Sequence, residues 1–220
     1  MTDTFRTVAV DSTWDDSTQI ASAFRRTHVH PYLATKGLKV NELTGQSADR
    51  AHATVAVKSP AITYVTGVSH GRNDAFTGDN NLPVFDTEAY PPEMFRGKIV
   101  HFLACNTAYL LGRTLVKQAE AGAFFGYVGP FAWPSDAADK SAAIFFDCDG
   151  EIDRALADGA TAAEAGQRAI AKFDQQIAAL RALGDANSLH TAAMLECNRD
   201  KLRSPCNGAE YGSRNATLGK

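Results

Sequence analysis

The stretch Lys98-Ile99-Val100-His101-Phe102-Leu103-Ala104-Cys105-Asn106-Thr107 decides the fold, together with residues 110–128 beyond it. Leu110, Leu111, Thr114, Leu115, Gln118 and Ala119 keep helical spacing as far as Gly122, and Ala123-Phe124-Phe125-Gly126-Tyr127-Val128 is a second apolar run. Two strand-length apolar runs joined by one amphipathic helical segment read as a βαβ unit. Strands apolar on both faces belong to parallel sheets covered by helices on both sides.

The alternation extends outward from this unit. Thr7-Val8-Ala9-Val10 reads as a buried strand running into a polar loop over residues 11–18. A helix follows, with Asp16 and Gln19 at capping-box spacing and Ile20, Ala21 and Phe24 on one face. Leu38-Lys39-Val40-Asn41-Glu42-Leu43 and Ala61-Ile62-Thr63-Tyr64-Val65-Thr66-Gly67-Val68 read as the second and third strands. Residues 72–96 break the rhythm with Asn73-Asp74, Gly78-Asp79-Asn80-Asn81 and Pro91-Pro92, which is turn chemistry. They read as an inserted loop or small hairpin that shapes a substrate groove. Toward the C-terminus, helices are expected over residues 135–156 and 161–183. The second has Thr161 and Glu164 as a capping box and Gly184 as its stop. Residues 191–196 read as a strand or short helix, and 205–220 as an irregular tail. The pattern predicts a three-layer α/β/α sandwich around a mostly parallel sheet, with residues 1–220 as one domain.

Composition excludes several classes. The 220 residues carry 22 basic and 25 acidic side chains, a formal net charge of −3, with no basic block of the kind that phosphate backbones require. No nucleic-acid partner is expected. No apolar run approaches the roughly 18 residues of a membrane helix, and residues 1–6 resemble no secretion signal. Cytoplasmic placement without membrane attachment is therefore expected. Cys105, Cys148, Cys197 and Cys206 are too few and too scattered for a disulfide scaffold and read as thiols.

In open parallel sheets ligands bind beyond the carboxyl ends of the strands. The third strand ends in Val68-Ser69-His70-Gly71 and the fourth in Ala104-Cys105-Asn106. If the two are parallel neighbours, His70 and Cys105 emerge side by side. A helix beginning near Thr107 would favour a thiolate at Cys105, and His70 would serve as its base and later as an acid. The amides of Gly71 and Cys105 would then hold a developing oxyanion.

An apolar strand ending in His-Gly, followed by one ending in Ala-Cys, resembles the paired signature of the caspase-like (clan CD) cysteine peptidases. The runs 99–108 and 121–129 look closest to the CHAT and gingipain-like members, and the helical region 155–165 is also similar. The resemblance covers roughly residues 5 to 200. It implies a caspase-like fold and a His70/Cys105 dyad that cleaves peptide bonds through an acyl-enzyme, with no metal or other cofactor. It further implies a protein or peptide substrate and, as for CHAT-like domains, an activating or targeting protein partner. Departures are the missing caspase pentapeptide and Leu103 where metacaspases carry an acidic residue, and the arginines of the caspase acid pocket cannot be placed on this sequence. By the same resemblance S1 is lined from the end of the first strand, where Asp11 and then Asp15-Asp16 stand, and Asp11 is expected to meet a basic P1 side chain. Phe131-Ala132-Trp133-Pro134, just past the fifth strand, places Trp133 as a wall of the substrate pocket.

Two other readings stand beside this one. Gly67-Val68-Ser69-His70-Gly71 matches G-x-S-x-G, with Asp147, Asp149 or Asp185 and then His190 in triad order for a serine hydrolase. A non-catalytic caspase-like interaction module is the other. Asp147-Cys148-Asp149-Gly150-Glu151-Ile152-Asp153 lacks calcium-loop spacing and reads as a solvated acidic helix face. His28 and His30 point to different helix faces, and His52, His101 and His190 have no evident partner.

Overall fold

The computed structural model describes residues 5–88, 90–134 and 141–219. Its strands are β1 (Thr7–Asp11), β2 (Val40–Thr44), β3 (Tyr64–Val68), β4 (Gly71–Arg72), β5 (Ala75–Thr77), β6 (Pro83–Asp86), β7 (Ile99–Leu103), β8 (Ala123–Tyr127) and β9 (Leu202–Arg203). The helices are α1 (Asp16–Phe24), α2 (His30–Thr35), α3 (Arg50–Val57), α4 (Pro92–Phe95), α5 (Leu111–Lys117), α6 (Ala142–Asp149), α7 (Glu151–Ala157), α8 (Ala162–Leu183) and α9 (Ala186–Lys201). A π-helical turn, Arg25–Val29, joins α1 to α2.

The main sheet has the order β2-β1-β3-β7-β8-β9. β2, β1, β3, β7 and β8 are parallel, and β9 runs antiparallel to β8. Side-chain alternation divides the apolar residues between two layers. Tyr64, Ile99, Leu103 and Phe125 face the layer of α1, α2 and α6 to α9, whereas Val65, Val100, Phe102 and Phe124 face α3, α4 and α5. This is the three-layer sandwich that the strand pattern predicts.

Of the two forms expected for the inserted segment, a loop or a small hairpin, the structure shows the hairpin, extended by one strand. The segment forms a second, three-stranded antiparallel sheet, β4-β5-β6. Phe76 and Phe85 are fully buried and stack on Phe102 with ring centroids 4.2 and 5.6 Å away. The aromatic side chains of this insertion therefore belong to the core, while its turns at residues 72–74 and 80–82 are exposed. Residues 191–196 lie within α9, a 16-residue helix capped by Asp185. The expected start of a helix at residue 135 lies outside the described residues. From 142 onward that helix is two, α6 and α7, meeting at Gly150. The tail is irregular but packed, with Tyr211 buried and Ser213 N–H donating to the Gly122 carbonyl at 2.8 Å.

A polar cluster is buried between the sheet and the helices. Arg25 donates from Nε to Asp11 (3.1 Å), from Nη1 to Asp153 (3.3 Å) and from Nη2 to Thr66 (2.8 Å). His101 sets Nε2 against Asp149 and Nδ1 against Asp153, both at 3.2 Å. The hydroxyls of Tyr64 and Tyr127 donate to Asp153 (2.8 Å) and Asp149 (2.7 Å). His101, Asp149 and Asp153 are at most 1% exposed, so the expectation of a partnerless His101 is overturned, and that of a solvated acidic face fails for these two aspartates. Asp149 and Asp153 turn inward, where His101 and Arg25 neutralise them, whereas Asp147 and Glu151 lie on the outer side with Arg154, Arg168 and Lys172.

With a carboxylate at each ring nitrogen, His101 is a double donor and carries a proton. Burial opposes this, but Asp149 and Asp153 hold its pKa up at about 9, against an ordinary 6.5. A raised folded-state pKa stabilises the protein fully below the unfolded value and ceases to do so above the folded one. Denaturant midpoints should therefore fall as pH rises from about 6.5 to about 9. His101→Gln should be less stable at pH 6 and should flatten that slope. An unchanged slope in the variant would refute the charged state.

Candidate active site

β3 and β7 are adjacent and parallel, with Val68 paired to Leu103, and Ser69 N–H donates to the Leu103 carbonyl at 3.3 Å. Both strands thus end at the same sheet edge, where His70 and Cys105 follow. Gly71 makes the approach close. A Cβ at this position would overlap the Cys105 carbonyl oxygen and lie 2.8 Å from Thr107 Cγ2, so no larger residue fits. His70 and Cys105 are both partly exposed.

The candidate oxyanion donors follow from the backbone pattern. The His70 carbonyl accepts the Thr77 N–H at 3.1 Å, and β4 pairs Arg72 with Ala75 around a two-residue turn. Gly71, opposite Phe76, then falls at a non-hydrogen-bonded position and its N–H points away from β5. The Cys105 N–H meets no carbonyl among the described residues.

Cys105 does not stand at a helix start. Residues 104–110 form turns, and α5 begins only at Leu111 with seven residues, so its dipole is not aimed at the thiol. What holds the turn is Asn106, in the left-handed region at φ 63°, with its N–H on the Gly129 carbonyl at 3.0 Å. Asparagine tolerates that conformation better than most residues. The Cys105 thiol points to the Phe131 carbonyl, 4.0 Å away. Trp133 lies alongside, partly buried against Phe131 and Phe146 (ring centroids 5.9 and 5.2 Å). It borders this edge as one side of the segment that the thiol faces.

One neighbour of the candidate base, Asp15, stands among the strand-end aspartates in the sequence but is not expected there to pair with His70. Asp15 Oδ2 lies 2.5 Å from His70 Nε2, while its Oδ1 accepts the Thr18 N–H at 2.9 Å as the N-cap of α1. The capping box thus runs from Asp15 to Thr18, one residue earlier than expected. Partial burial opposes ionisation, but the Thr18 N–H and the His70 ring hold the Asp15 carboxyl below its usual range. As an ionised acceptor it takes the Nε2–H of His70, which leaves Nδ1 as the basic nitrogen. The available signal was an aspartate at a helix start just past a strand end.

Asp11 requires correction. It is fully buried, bonded to Arg25 and to the Val68 N–H (3.1 Å), with His30 Nε2 2.9 Å from its second oxygen. The desolvation of burial is outweighed by Arg25 and His30, which keep its pKa low. It braces the strand end and meets no substrate. Ser69 is 7% exposed, with its hydroxyl 3.3 Å from that of Thr77, and the chain continues into β4 rather than a helix. The elbow context is therefore missing. Asp149 is committed to His101, and Asp185 caps α9.

Among the described residues, two trios have metal-ligand spacing, Asp11-His30-Glu42 and His101-Asp149-Asp153. Arg25 already supplies the cation to Asp11 and Asp153, so neither trio calls for an ion. Of the other thiols, Cys148 is buried, which pushes its pKa up to about 12; Cys206 accepts the Ser204 hydroxyl, and Cys197 is exposed on α9.

No family model matches the chain, and no curated protein does. Among solved structures it is similar to the Arg-specific cysteine proteinase gingipain R, with a TM-score of 0.54 and 11% identity, over 96% of this chain and 46% of that one. The chain thus spans about half of the proteinase it matches. The likeness shows an α/β fold of the gingipain and caspase-like kind.

Proposed function

We propose that this chain is a cysteine peptidase in which Cys105 is the nucleophile, His70 the base and then the acid, and Asp15 the group that orients His70. The observation that carries this is the meeting of two adjacent strand ends at Gly71, with Asp15 Oδ2 2.5 Å from His70 Nε2. The fold shared with a cysteine proteinase supports the reaction class.

His70 Nδ1 takes the thiol proton as Cys105 Sγ attacks the peptide carbonyl, and the oxyanion gathers on the Gly71 and Cys105 amides. Collapse breaks the C–N bond, and the proton on His70 passes to the leaving amine. Water, deprotonated by His70, then opens the thioester and restores the thiol. The substrate is a peptide or protein segment lying across the open edge, bordered by exposed Trp14, Tyr109 and Leu110. Arginine specificity belongs to the named neighbour. The committed charge of Asp11 gives no reason to extend it here.

The test is alkylation at neutral pH with a limiting amount of a peptidyl acyloxymethyl ketone, mapped by peptide mass spectrometry. Cys105 should carry the label in preference to the more exposed Cys197, and His70→Ala should remove that preference. Labelling of Cys197 first would count against the reading.

A further inference from the structure

Two residues of the inserted segment grip the base side of the site from behind. Thr77, fully buried, donates both its backbone N–H (3.1 Å) and its hydroxyl (2.9 Å) to the carbonyl of His70. Asp79, two residues further on, accepts at Oδ1 the Ser12 hydroxyl and the Thr13 N–H, both at 3.0 Å. Ser12 Oγ in turn accepts the Trp14 N–H at 3.3 Å, and the Ser12 N–H is tied to the Val68 carbonyl at 2.9 Å. Every residue of the loop 12–14 is thereby held, and the next residue is Asp15. Asp79 is itself anchored, with its N–H on the Ala48 carbonyl at 3.1 Å.

The backbone of the base and the loop that carries its orienting carboxylate are therefore fixed from one stretch of three residues. We propose that Thr77 and Asp79 are positioning residues that set the geometry of the His70 and Asp15 pair. The second sheet then acts on the chemistry through the base and not as a wall of the substrate groove. The inference rests on the cysteine peptidase reading for its kinetic consequence. A hydrogen bond of 2.5 Å between two side chains on separate loops leaves little slack, and misplacement of a reacting group by about 1 Å can cost on the order of a hundredfold in rate.

The test compares Asp79→Ala, Asp79→Asn and Thr77→Val with the unmodified chain. Two readouts are used: steady-state hydrolysis of a fluorogenic peptide and the NMR signal of the His70 Cε1–H. Asp79→Ala should lower kcat by about ten- to a hundredfold with KM within about twofold, and should move the His70 signal in the direction that Asp15→Ala moves it. Asp79→Asn keeps a carbonyl oxygen that can accept both bonds, and should recover kcat to within about threefold. Thr77→Val, which keeps the shape but loses one donor to the His70 carbonyl, should lower kcat in the same sense. If Asp79→Ala does not fold, Thr77→Val carries the test. A substrate-binding role would raise KM instead, and that result, or a wild-type kcat with an unmoved His70 signal, overturns the proposal. If the unmodified chain shows no Cys105-dependent hydrolysis, the peptidase reading fails separately, and the His70 signal alone decides whether Asp79 positions the ring.

Discussion

Replacing Cys105 by alanine is expected to remove peptide hydrolysis, a fall of roughly four to six orders of magnitude in kcat, the range seen when a covalent nucleophile is deleted. Hydrolysis through an acyl-enzyme needs a sulfur at the strand end, and among the four cysteines Cys105 is the one that follows β7, in register with the β3 end that leads into His70. The fold should survive, because the side chain is partly exposed and its one polar contact is the distant carbonyl of Phe131. Melting curves should therefore superimpose closely. Ser69→Ala provides the opposing arm. Its hydroxyl is buried against Thr77, so the variant should keep nearly full turnover. Turnover retained by Cys105→Ala, or lost in Ser69→Ala, would reject the cysteine assignment and favour the serine hydrolase.

Arg25→Leu should give the largest loss of stability. The guanidinium is 1% exposed and bonds Asp11, Asp153 and Thr66 at once. Removing one partner of a buried ion pair strands the other charge, at a cost of about 3–5 kcal/mol. For a chain of this size, that lowers the melting temperature by roughly 6–20 °C. Equilibrium denaturation at pH 7 measures it directly. A change below about 1 kcal/mol would mean that the carboxylates are satisfied without Arg25, as ordinary surface pairs are.

Much of the sheet was legible because its strands are short apolar runs between turn residues. β1, β2, β3, β7 and β8 fall within a few residues of the runs that predict them. The second sheet was legible only as a loop or small hairpin, because β4 and β5 have two and three residues, too few for any alternation to show among Asn, Asp and Gly. His70, Gly71 and Cys105 could be singled out since strand ends are where parallel sheets place ligands. Asp15 was obscured by Asp16 beside it, which has equal capping chemistry. Its partner, His70, lies 55 positions away, and only the closed sheet brings the two together. Asp11 misled for the opposite reason, since a carboxylate at a strand end looks free until Arg25 and His30 are placed. His101 shared that fate: alternation in an apolar strand does not show that two aspartates from later helices will reach it.

The buried charges also bear on which fold the chain accepts. Asp11 comes from β1, Tyr64 and Thr66 from β3, His101 from β7 and Tyr127 from β8, and all point to the same layer. A one-residue slip of any of these strands turns its side chains to the opposite face. His101 would then enter the apolar layer of Phe76 and Phe85, and Asp153 would lose a partner. Sliding is tolerable between strands of interchangeable valines and phenylalanines, but here it is penalised by a stranded charge. The cluster thus acts as a key that admits one alignment of β3 against β7, and it is this alignment that sets His70 level with Cys105.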